Sequence, residues 1–194
     1  MRLLPHFVWL ERQFMNTFQI IQNSLDTKQK NIEHNETLFA QGNGLIGIRG
    51  TVYSTIDKSP GAFINGFYEN TDIKYPEKAY GFPEVGETLV KLPNVFNYKI
   101  FVNDEIVDLN KKDKLENFKR VFDLKKGIVK INFNYKINNK QKINVKIERL
   151  VSFTNKNLMI KELSVNLNKG SVNLRIEDDL DFEIKNKLVK DDPR

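Results

Sequence analysis

A glycine-rich stretch near the start of the chain is Glu36-Thr37-Leu38-Phe39-Ala40-Gln41-Gly42-Asn43-Gly44-Leu45-Ile46-Gly47-Ile48-Arg49-Gly50, and it has the closest glycine spacing in the sequence. Its centre fits the G-x-G-x-x-G pattern of a dinucleotide-binding loop, which requires a helix to begin within the glycines. Here a further glycine, Gly50, and the β-branched Thr51 and Val52 follow, and such residues form helices poorly. The sequence therefore disfavours nucleotide binding at this stretch.

The same stretch predicts a tight turn that leads into a strand. In an extended chain the side chains alternate, so Leu45, Gly47 and Arg49 would lie on one side, with Ile46 and Ile48 on the other. Glycine is expected where the backbone turns sharply or approaches a neighbour closely.

Most of the remaining chain has the period of two that is typical of β-strands. From Val129 to Ile137 apolar and polar residues alternate strictly, and similar alternation recurs at 143–153, 158–167 and 172–176. Asn103-Asp104-Glu105 indicates a hairpin turn between two short apolar runs. Short strands separated by turns of a few residues predict an all-β fold, an antiparallel two-sheet β-sandwich over residues 38–194.

Residues 1–37 are predicted to form an N-terminal extension that is partly helical or disordered. Phe18, Ile21 and Leu25 recur at helical spacing, which predicts a short helix there. Met1 to Phe14 is expected to be poorly ordered, and it lacks the long apolar run and cleavage site of a signal peptide.

The composition limits the classes to which the protein can belong. A chain of 194 residues is long enough for one globular domain with a buried core. It has no cysteine, which excludes disulfides and thiolate metal sites and fits a reducing compartment. No apolar run is long enough to span a membrane. We therefore expect a cytoplasmic protein without a membrane partner.

The formal net charge of +6 comes mainly from lysines that are spread over nearly every predicted strand. A nucleic-acid surface would gather lysine and arginine with aromatic residues on one face. Here the lysines alternate with apolar positions, which is typical of a solvated sheet face that also discourages edge pairing. No nucleic-acid partner is expected.

Three motifs occur in a recognisable order. Leu38-Phe39 precedes Gly42-Asn43-Gly44 and Gly47-Ile48-Arg49-Gly50; the later motifs are Gly61-Ala62-Phe63-Ile64-Asn65-Gly66-Phe67-Tyr68 and Glu87-Thr88-Leu89-Val90-Lys91-Leu92-Pro93-Asn94. With the hairpin from Tyr98 to Leu109, they resemble the N-terminal domain of glycoside hydrolase family 65 from about Leu38 to the C terminus. That family contains the maltose, trehalose, kojibiose and nigerose phosphorylases and some hydrolases.

The resemblance implies a galactose mutarotase-like super-sandwich that is followed, in family members, by a catalytic barrel of paired helices. The catalytic acid and the groups that bind inorganic phosphate, the co-substrate of the phosphorylases, lie in that barrel. The chain ends at Arg194, before such a barrel. We therefore expect an incomplete sandwich that is inactive by itself, with no catalytic residues, no metal and no cofactor of its own.

Thr71 to Glu87 is the longest stretch without a periodic pattern and is predicted to be a loop. Its aromatic residues and carboxylates suit a sugar, because aromatic faces stack on CH groups and carboxylates accept hydroxyl hydrogens. Tyr80, Phe82 and Glu84 are therefore candidate substrate-binding residues. The alternative is a loop that packs on its own domain or on a partner domain.

Arg49 is the fourth candidate. An arginine between Gly47 and Gly50 has room for its guanidinium to pair with a carboxylate or to bind backbone carbonyls. Structural pairing is the favoured interpretation, and contact with a ligand or a partner domain is the alternative.

Other polar groups give weaker signals. Glu84 and Glu87 resemble an acid/base pair only by their residue type, since nothing in the sequence fixes their separation. The run Asp178-Asp179-Leu180-Asp181 lacks the spacing of a calcium loop. His6 and His34 lie far apart, and although Glu33 and Glu36 flank His34, three convergent metal ligands cannot be identified.

Three functions stay open. We expect the N-terminal domain of a disaccharide phosphorylase or glycoside hydrolase of carbohydrate metabolism, with a structural, assembly or substrate-loop role. The alternatives are a stand-alone carbohydrate-binding or protein-interaction module and an unrelated β-sandwich. An incomplete sandwich exposes an unpaired strand edge, so we expect a homo-oligomer. The disaccharide substrate is expected to be bound through a catalytic domain that this chain lacks.

Overall fold

The computed structural model describes residues 18–57, 61–77, 79–178, 180 and 182. They form a mostly β structure with antiparallel sheets and one short helix, which confirms the predicted fold class. In chain order the elements of this part are β1 (Gln19–Gln22), α1 (Gln29–Leu38), β2 (Gln41–Gly42), β3 (Ile46–Ile48), β4 (Ala62–Ile64), β5 (Tyr68–Asp72), β6 (Val85–Leu89), β7 (Lys99–Val102), β8 (Glu105–Ile106), β9 (Leu115–Asp123), β10 (Ile128–Lys136), β11 (Lys142–Val151), β12 (Met159–Leu167) and β13 (Leu174–Glu177).

The chain divides into two compact units. Of the described residues, the first unit contains 18–26, 111–150 and 161–171, and the second unit contains the others. Most of a five-stranded sheet with the order β1-β9-β10-β11-β12 belongs to the first unit. The second unit holds helix α1, the three-stranded sheets β13-β7-β8 and β2-β3-β4, and the two-stranded sheet β5-β6.

The five-stranded sheet confirms the strongest periodic prediction. Strand β10 buries every second side chain, namely Val129, Ile131, Phe133 and Tyr135. On β11 the residues directly opposite the last three are also buried, and they are Ile147, Val145 and Ile143. Directly opposed apolar pairs of this kind are the unit of sheet stabilisation. The alternation in sequence thus becomes a mainly apolar face, which also holds the buried Arg149 opposite Val129 and the buried Arg120 opposite Ile131.

Strand β9 contains a bulge that the sequence pattern did not reveal. Asn132 lies opposite Lys119 whereas Asn134 lies opposite Glu116, so β9 has one extra residue in this interval. Asn117 has a φ of 52°, in the left-handed region that asparagine adopts more readily than most residues.

The predicted position of the N-terminal helix is wrong. Gln19–Gln22 form β1, which pairs antiparallel with β9, and the helix follows at Gln29–Leu38. The helix buries only Ile32 and Glu36, so it lacks the apolar stripe by which helices are recognised in sequence. The expectation of poor order in Met1 to Phe14 lies outside the described residues.

The second unit has its own apolar cluster. Ile46 and Ile48 of β3 are buried together with Ala62, Phe96 and Val151. Leu45 packs against the same cluster. Two buried tyrosines also lie in this unit: the rings of Tyr53 and Tyr98 meet edge to face with centroids 5.1 Å apart, and the Tyr53 hydroxyl accepts a 2.7 Å hydrogen bond from the Ile100 backbone N–H.

The hairpin predicted at Asn103-Asp104-Glu105 is confirmed. Strand β7 pairs with β8, and the two connecting residues Asn103 and Asp104 have φ values of 50° and 65°. Two successive positive φ values make the turn that matches the twist of antiparallel strands, and Asn and Asp tolerate them.

The predicted loop from Thr71 to Glu87 is partly wrong. Its two ends belong to paired strands, since Thr71 lies opposite Gly86 and Asp72 lies opposite Val85. Residues Tyr68–Asp72 are exposed throughout, so neither face of β5 carries an apolar pattern. Periodicity reveals a strand only where one of its faces is buried.

Candidate functional site

Three of the candidate sugar-binding residues, Tyr80, Phe82 and Glu84, lie on the hairpin formed by β5 and β6. The strands pair from Tyr68↔Leu89 to Asp72↔Val85, and the Ile73 N–H extends the ladder with a 2.9 Å hydrogen bond to the Glu84 carbonyl. This ladder fixes both ends of the connecting segment. Three of the four residues proposed from the sequence are therefore held on one element.

A glycine turn sets the direction of two aromatic residues on this hairpin. The Phe82 N–H donates a 3.2 Å hydrogen bond to the Ala79 carbonyl, and Gly81 has a φ of 88°. A four-residue turn with a positive φ at its third position is a type II turn, for which glycine is the preferred residue. Tyr80 precedes this glycine and is fully exposed.

Two aromatic rings meet on the same hairpin. The centroids of Tyr75 and Phe82 are 4.9 Å apart with an interplanar angle of 49°, and Phe82 is 48% exposed. The Glu84 side chain is exposed as well. We call Tyr75, Tyr80, Phe82 and Glu84 the hairpin tip; it presents aromatic faces and one carboxylate to the surroundings.

The structure does not bring Glu84 and Glu87 together as an acid/base pair. Glu84 adjoins β6, where Glu87 lies opposite Asn70, and the ladder continues through Glu84. Because successive side chains of a strand alternate, residues three positions apart point to opposite faces.

Arg49 lies on a different element from the hairpin tip and contacts helix α1. One Nη atom donates a 2.9 Å hydrogen bond to the Thr37 hydroxyl, and the other donates a 3.1 Å bond to the Glu33 carbonyl. The latter nitrogen also lies 3.5 Å from Oε2 of Glu36, whose side chain is 1% exposed. The favoured sequence interpretation, a carboxylate and a carbonyl as partners of the guanidinium, agrees with these contacts.

The glycine-rich turn is organised by Asn43, which the sequence did not single out. Its Oδ1 accepts hydrogen bonds from the backbone N–H groups of Leu45 (3.0 Å) and Ile46 (2.8 Å). Its Nδ2 donates to the carbonyls of Ser152 (2.6 Å) and Lys156 (3.0 Å). A strand, β3, follows this turn, so the glycines do not form the phosphate-binding start of a helix.

The remaining polar candidates do not assemble into a site. His34 is exposed on α1, and Glu36 next to it is engaged with Arg49. The part of the chain that the structure describes contains no group of three or more His, Asp or Glu side chains placed to hold a metal ion. His6, Asp179 and Asp181 lie outside the described residues. No helix within the described ranges is long and apolar enough to cross a membrane.

The comparison with protein families matches residues 20–194 to the glycosyl hydrolase family 65, N-terminal domain. The chain belongs to this family. An alpha,alpha-trehalose phosphorylase of Thermoanaerobacter brockii is 38% identical over 142 residues, which are 71% of this chain and 18% of the relative. A kojibiose phosphorylase of Caldanaerobacter subterraneus subsp. tengcongensis is 34% identical over 95 residues, which are 48% of this chain and 11% of the relative.

A solved structure supports the same family 65 assignment. A human-microbiome protein, provisionally named a kojibiose phosphorylase, superposes with a TM-score of 0.67 at 27% identity over 78% of this chain and 20% of its own. This chain thus spans about a fifth or less of the length of these relatives. The antiparallel sheets are consistent with the β-sandwich that the resemblance implied.

Proposed function

We propose that this family 65 domain serves a disaccharide phosphorylase as its non-catalytic N-terminal domain and that the hairpin tip contacts the sugar. The phosphorylase would act in the cytoplasm with inorganic phosphate as its co-substrate. Relatives named trehalose phosphorylase and kojibiose phosphorylase support the substrate class. Their substrates are disaccharides of glucose, so glucose rings are the groups that the tip would meet.

The exposed aromatic residues of the hairpin tip carry the proposal. Tyr80 is fully exposed and Phe82 is half exposed, although burying such rings would be favourable. The CH face of a pyranose covers an aromatic ring, while the Glu84 carboxylate can accept hydrogen bonds from its hydroxyl groups. One hairpin therefore offers both kinds of contact that a sugar requires.

The proposed contribution to the reaction is orientation of the substrate. In phosphorolysis phosphate attacks the anomeric carbon, and an acid protonates the glycosidic oxygen that leaves. The family resemblance assigns the acid and the phosphate site to the catalytic barrel. Contacts from the hairpin tip would use binding energy to hold the sugar ring in a reactive position.

The direct test is kinetic, in a protein that joins this domain to its catalytic domain. If the reading frame continues past the Arg194 codon, the DNA sequence that follows will show which catalytic domain to use. We expect Phe82→Ala and Glu84→Gln to raise KM for the disaccharide several-fold. Thr88→Ala, on the exposed strand β6 of the same hairpin, is the matched control and should leave KM unchanged. Equal kinetics for all variants would show that the hairpin tip has no role in sugar binding.

A second test uses the chain alone. It should release neither glucose nor glucose 1-phosphate from trehalose, kojibiose, maltose or nigerose, with or without phosphate. Turnover above a blank that disappears in Glu84→Gln or Glu87→Gln would contradict a non-catalytic role. Sugar binding by the chain alone, without turnover, would instead favour a stand-alone carbohydrate-binding module.

We further propose self-association through β13. Leu174 and Ile176 share a sheet face with the buried Val102 and Ile100, yet they are 40% and 47% exposed. Burying these exposed apolar side chains against another protein surface would be favourable. A second copy of the chain is the partner that is present in any solution of the protein. Sedimentation should show concentration-dependent dimers that Ile176→Glu weakens. A monomer at high concentration would refute this assembly.

A further inference from the structure

The chain contains two Asn-Gly dipeptides, Asn43-Gly44 and Asn65-Gly66. We propose that Asn65 is a site of spontaneous deamidation in the folded protein and that the fold protects Asn43 from the same reaction. The dipeptides are identical in sequence, so any difference in rate arises from tertiary structure. This modification does not depend on the proposed enzymatic role.

The reaction needs only the side chain, the following backbone nitrogen and water. The Gly66 nitrogen attacks Cγ of Asn65 and loses its proton, and the side-chain nitrogen departs as ammonia. A five-membered succinimide ring results. Water then opens the ring at either carbonyl to give aspartate or isoaspartate. Glycine favours the first step because it has no Cβ to obstruct the attack.

Asn65 lies in an exposed turn. The Phe67 N–H donates a 3.3 Å hydrogen bond to the Ile64 carbonyl. Gly66 has a φ of 87°, and apart from its two chain neighbours no residue has an atom within 4 Å of the position of a Cβ. Asn65 and the residues that follow it through Asp72 are exposed. Space and water are therefore available on the reacting side of the turn.

Two contacts hold the Asn65 side chain, and both involve exposed groups. Its Oδ1 accepts a 2.8 Å hydrogen bond from the Tyr68 hydroxyl, and its Nδ2 donates a long, 3.4 Å bond to the Gly44 carbonyl. Water can replace each contact at small cost, since hydrogen bonds exchanged with water contribute little net free energy. The carboxamide can therefore leave its position and approach the Gly66 nitrogen.

Asn43 differs in its exposure and in the contacts of its side chain, whereas the glycine that follows it, Gly44, has nearly the same φ (88°) as Gly66. It is 6% exposed, and both ends of its carboxamide are engaged in the four hydrogen bonds of the glycine-rich turn. Attack by the Gly44 nitrogen would require these bonds to break inside the protein, where water cannot replace them. Deamidation at Asn43 consequently requires local unfolding.

Modification of Asn65 changes the contact with the glycine-rich turn. A carboxylate has no hydrogen to donate to the Gly44 carbonyl, so two oxygen atoms would face each other. Isoaspartate also adds a methylene group to the main chain three residues before strand β5 begins at Tyr68. We therefore expect the turn that contains Asn65 to move away from Gly44, at the base of the hairpin formed by β5 and β6.

The experiment is peptide mapping of the full chain after incubation at mildly alkaline pH. Mass spectrometry should find aspartate and isoaspartate at position 65 forming on the order of tenfold or more faster than at position 43, because only position 43 requires local opening. In concentrated urea the two rates should become similar. Asn65→Gln, which must form a larger ring, should leave position 65 intact while position 43 behaves as before.

Two results would overturn the proposal. Equal rates at positions 43 and 65 in the folded chain would show that the fold gives no protection. An intact Asn65 in the folded chain, with conversion in urea, would show that the turn prevents the attack. Because the readout is a mass change at a named residue, neither result depends on sugar binding or on catalysis.

Discussion

Arg49 and Glu36 form an ion pair in which the carboxylate is the buried partner. Nη2 of Arg49 lies 3.5 Å from Oε2 of Glu36, and their side chains are 25% and 1% exposed. The carbonyl of Glu36 also accepts a 2.7 Å hydrogen bond from the Gly50 N–H. One residue of helix α1 is thus bound through its side chain and its backbone to the segment that follows β3.

Replacing Arg49 should destabilise the protein substantially. Arg49→Ala removes the guanidinium beside a buried carboxylate, and we expect a loss of about 3 kcal/mol or more in the free energy of unfolding. Arg49→Lys keeps the charge but not the planar fork, so it should recover only part of the loss. Urea denaturation measures both changes.

The control for this prediction is the exposed ion pair of Lys130 and Glu148. Its atoms are 2.7 Å apart, but the side chains are 51% and 44% exposed. Lys130→Ala should cost about 0–1 kcal/mol, since water screens such a pair. Equal losses for Arg49→Ala and Lys130→Ala would contradict the importance assigned to burial of Glu36.

Replacing Gly50 and Gly47 by alanine should have different effects on the stability of the protein. A Cβ at Gly50 would lie 2.5 Å from the backbone carbon of Phe39, whereas at Gly47 it would meet nothing within 4 Å. We expect Gly50→Ala to cost about 2 kcal/mol or more, because the backbone must move. Gly47→Ala should be neutral or stabilising by about 0.4–1 kcal/mol through the unfolded chain. Thermal melting of both variants provides the comparison, and a stable Gly50→Ala protein would be inconsistent with this packing.

Asn43 should contribute more to stability than any exposed asparagine. Asn43→Ala removes four hydrogen bonds and leaves buried backbone groups without their partner, with an expected cost of about 3 kcal/mol. Asn65→Ala, in the exposed turn, should change stability by less than about 0.5 kcal/mol. Urea denaturation of the two variants measures both free energies of unfolding. A loss of less than about 1 kcal/mol for Asn43→Ala would argue against the importance of these four hydrogen bonds.

Glu116 should make part of the stability depend on pH. A hydrogen bond from Lys136 lowers the pKa of Glu116 below its ordinary value of 4.5, with a further contribution from the charge of Lys142. A carboxyl whose pKa is lower in the folded state stabilises the protein above its unfolded pKa, and this contribution disappears as pH falls through the folded pKa.

The measurement is the difference in melting temperature between the native chain and Glu116→Gln. The native chain should be the more stable near neutral pH, and the difference should shrink below pH 4.5 and in high salt. Because the Glu116 side chain is 30% exposed and its lysine partners are more so, solvent screens the interaction and the difference will be small. If the difference in melting temperature instead grew as the pH fell, the pKa of Glu116 would not be lowered in the folded protein, and the prediction would be refuted.

The fold class was predictable wherever one face of a strand is buried. The alternation from Val129 to Tyr135 reports directly which side chains are buried, as β10 shows. The same method failed for β5, which is exposed on both faces, and for α1, which buries one apolar and one acidic residue. Hydrophobic periodicity records burial and contains no information about elements held by polar contacts.

The candidate site was predictable in its residue types but not in its arrangement. The aromatic residues and carboxylates between Thr71 and Glu87 led to the expectation of sugar contacts, which stays a prediction, and only the pairing of β5 with β6 placed Tyr80, Phe82 and Glu84 on one hairpin. That pairing also separated Glu84 from Glu87. Strand register fixes which side chains share a face, and register results from pairing between segments distant in sequence.

The sequence by itself determined the all-β class, the strand that follows the glycines, the hairpin at Asn103 and the resemblance to family 65. These features depend on local patterns: periodicity, turn chemistry and motif order. Tertiary structure alone decided that Glu36 pairs with Arg49, that Asn43 binds the carbonyls of Ser152 and Lys156, and that β1 joins β9. Each of these contacts joins groups whose chemistry allows many partners, and only the folded backbone brings one particular pair within hydrogen-bonding distance.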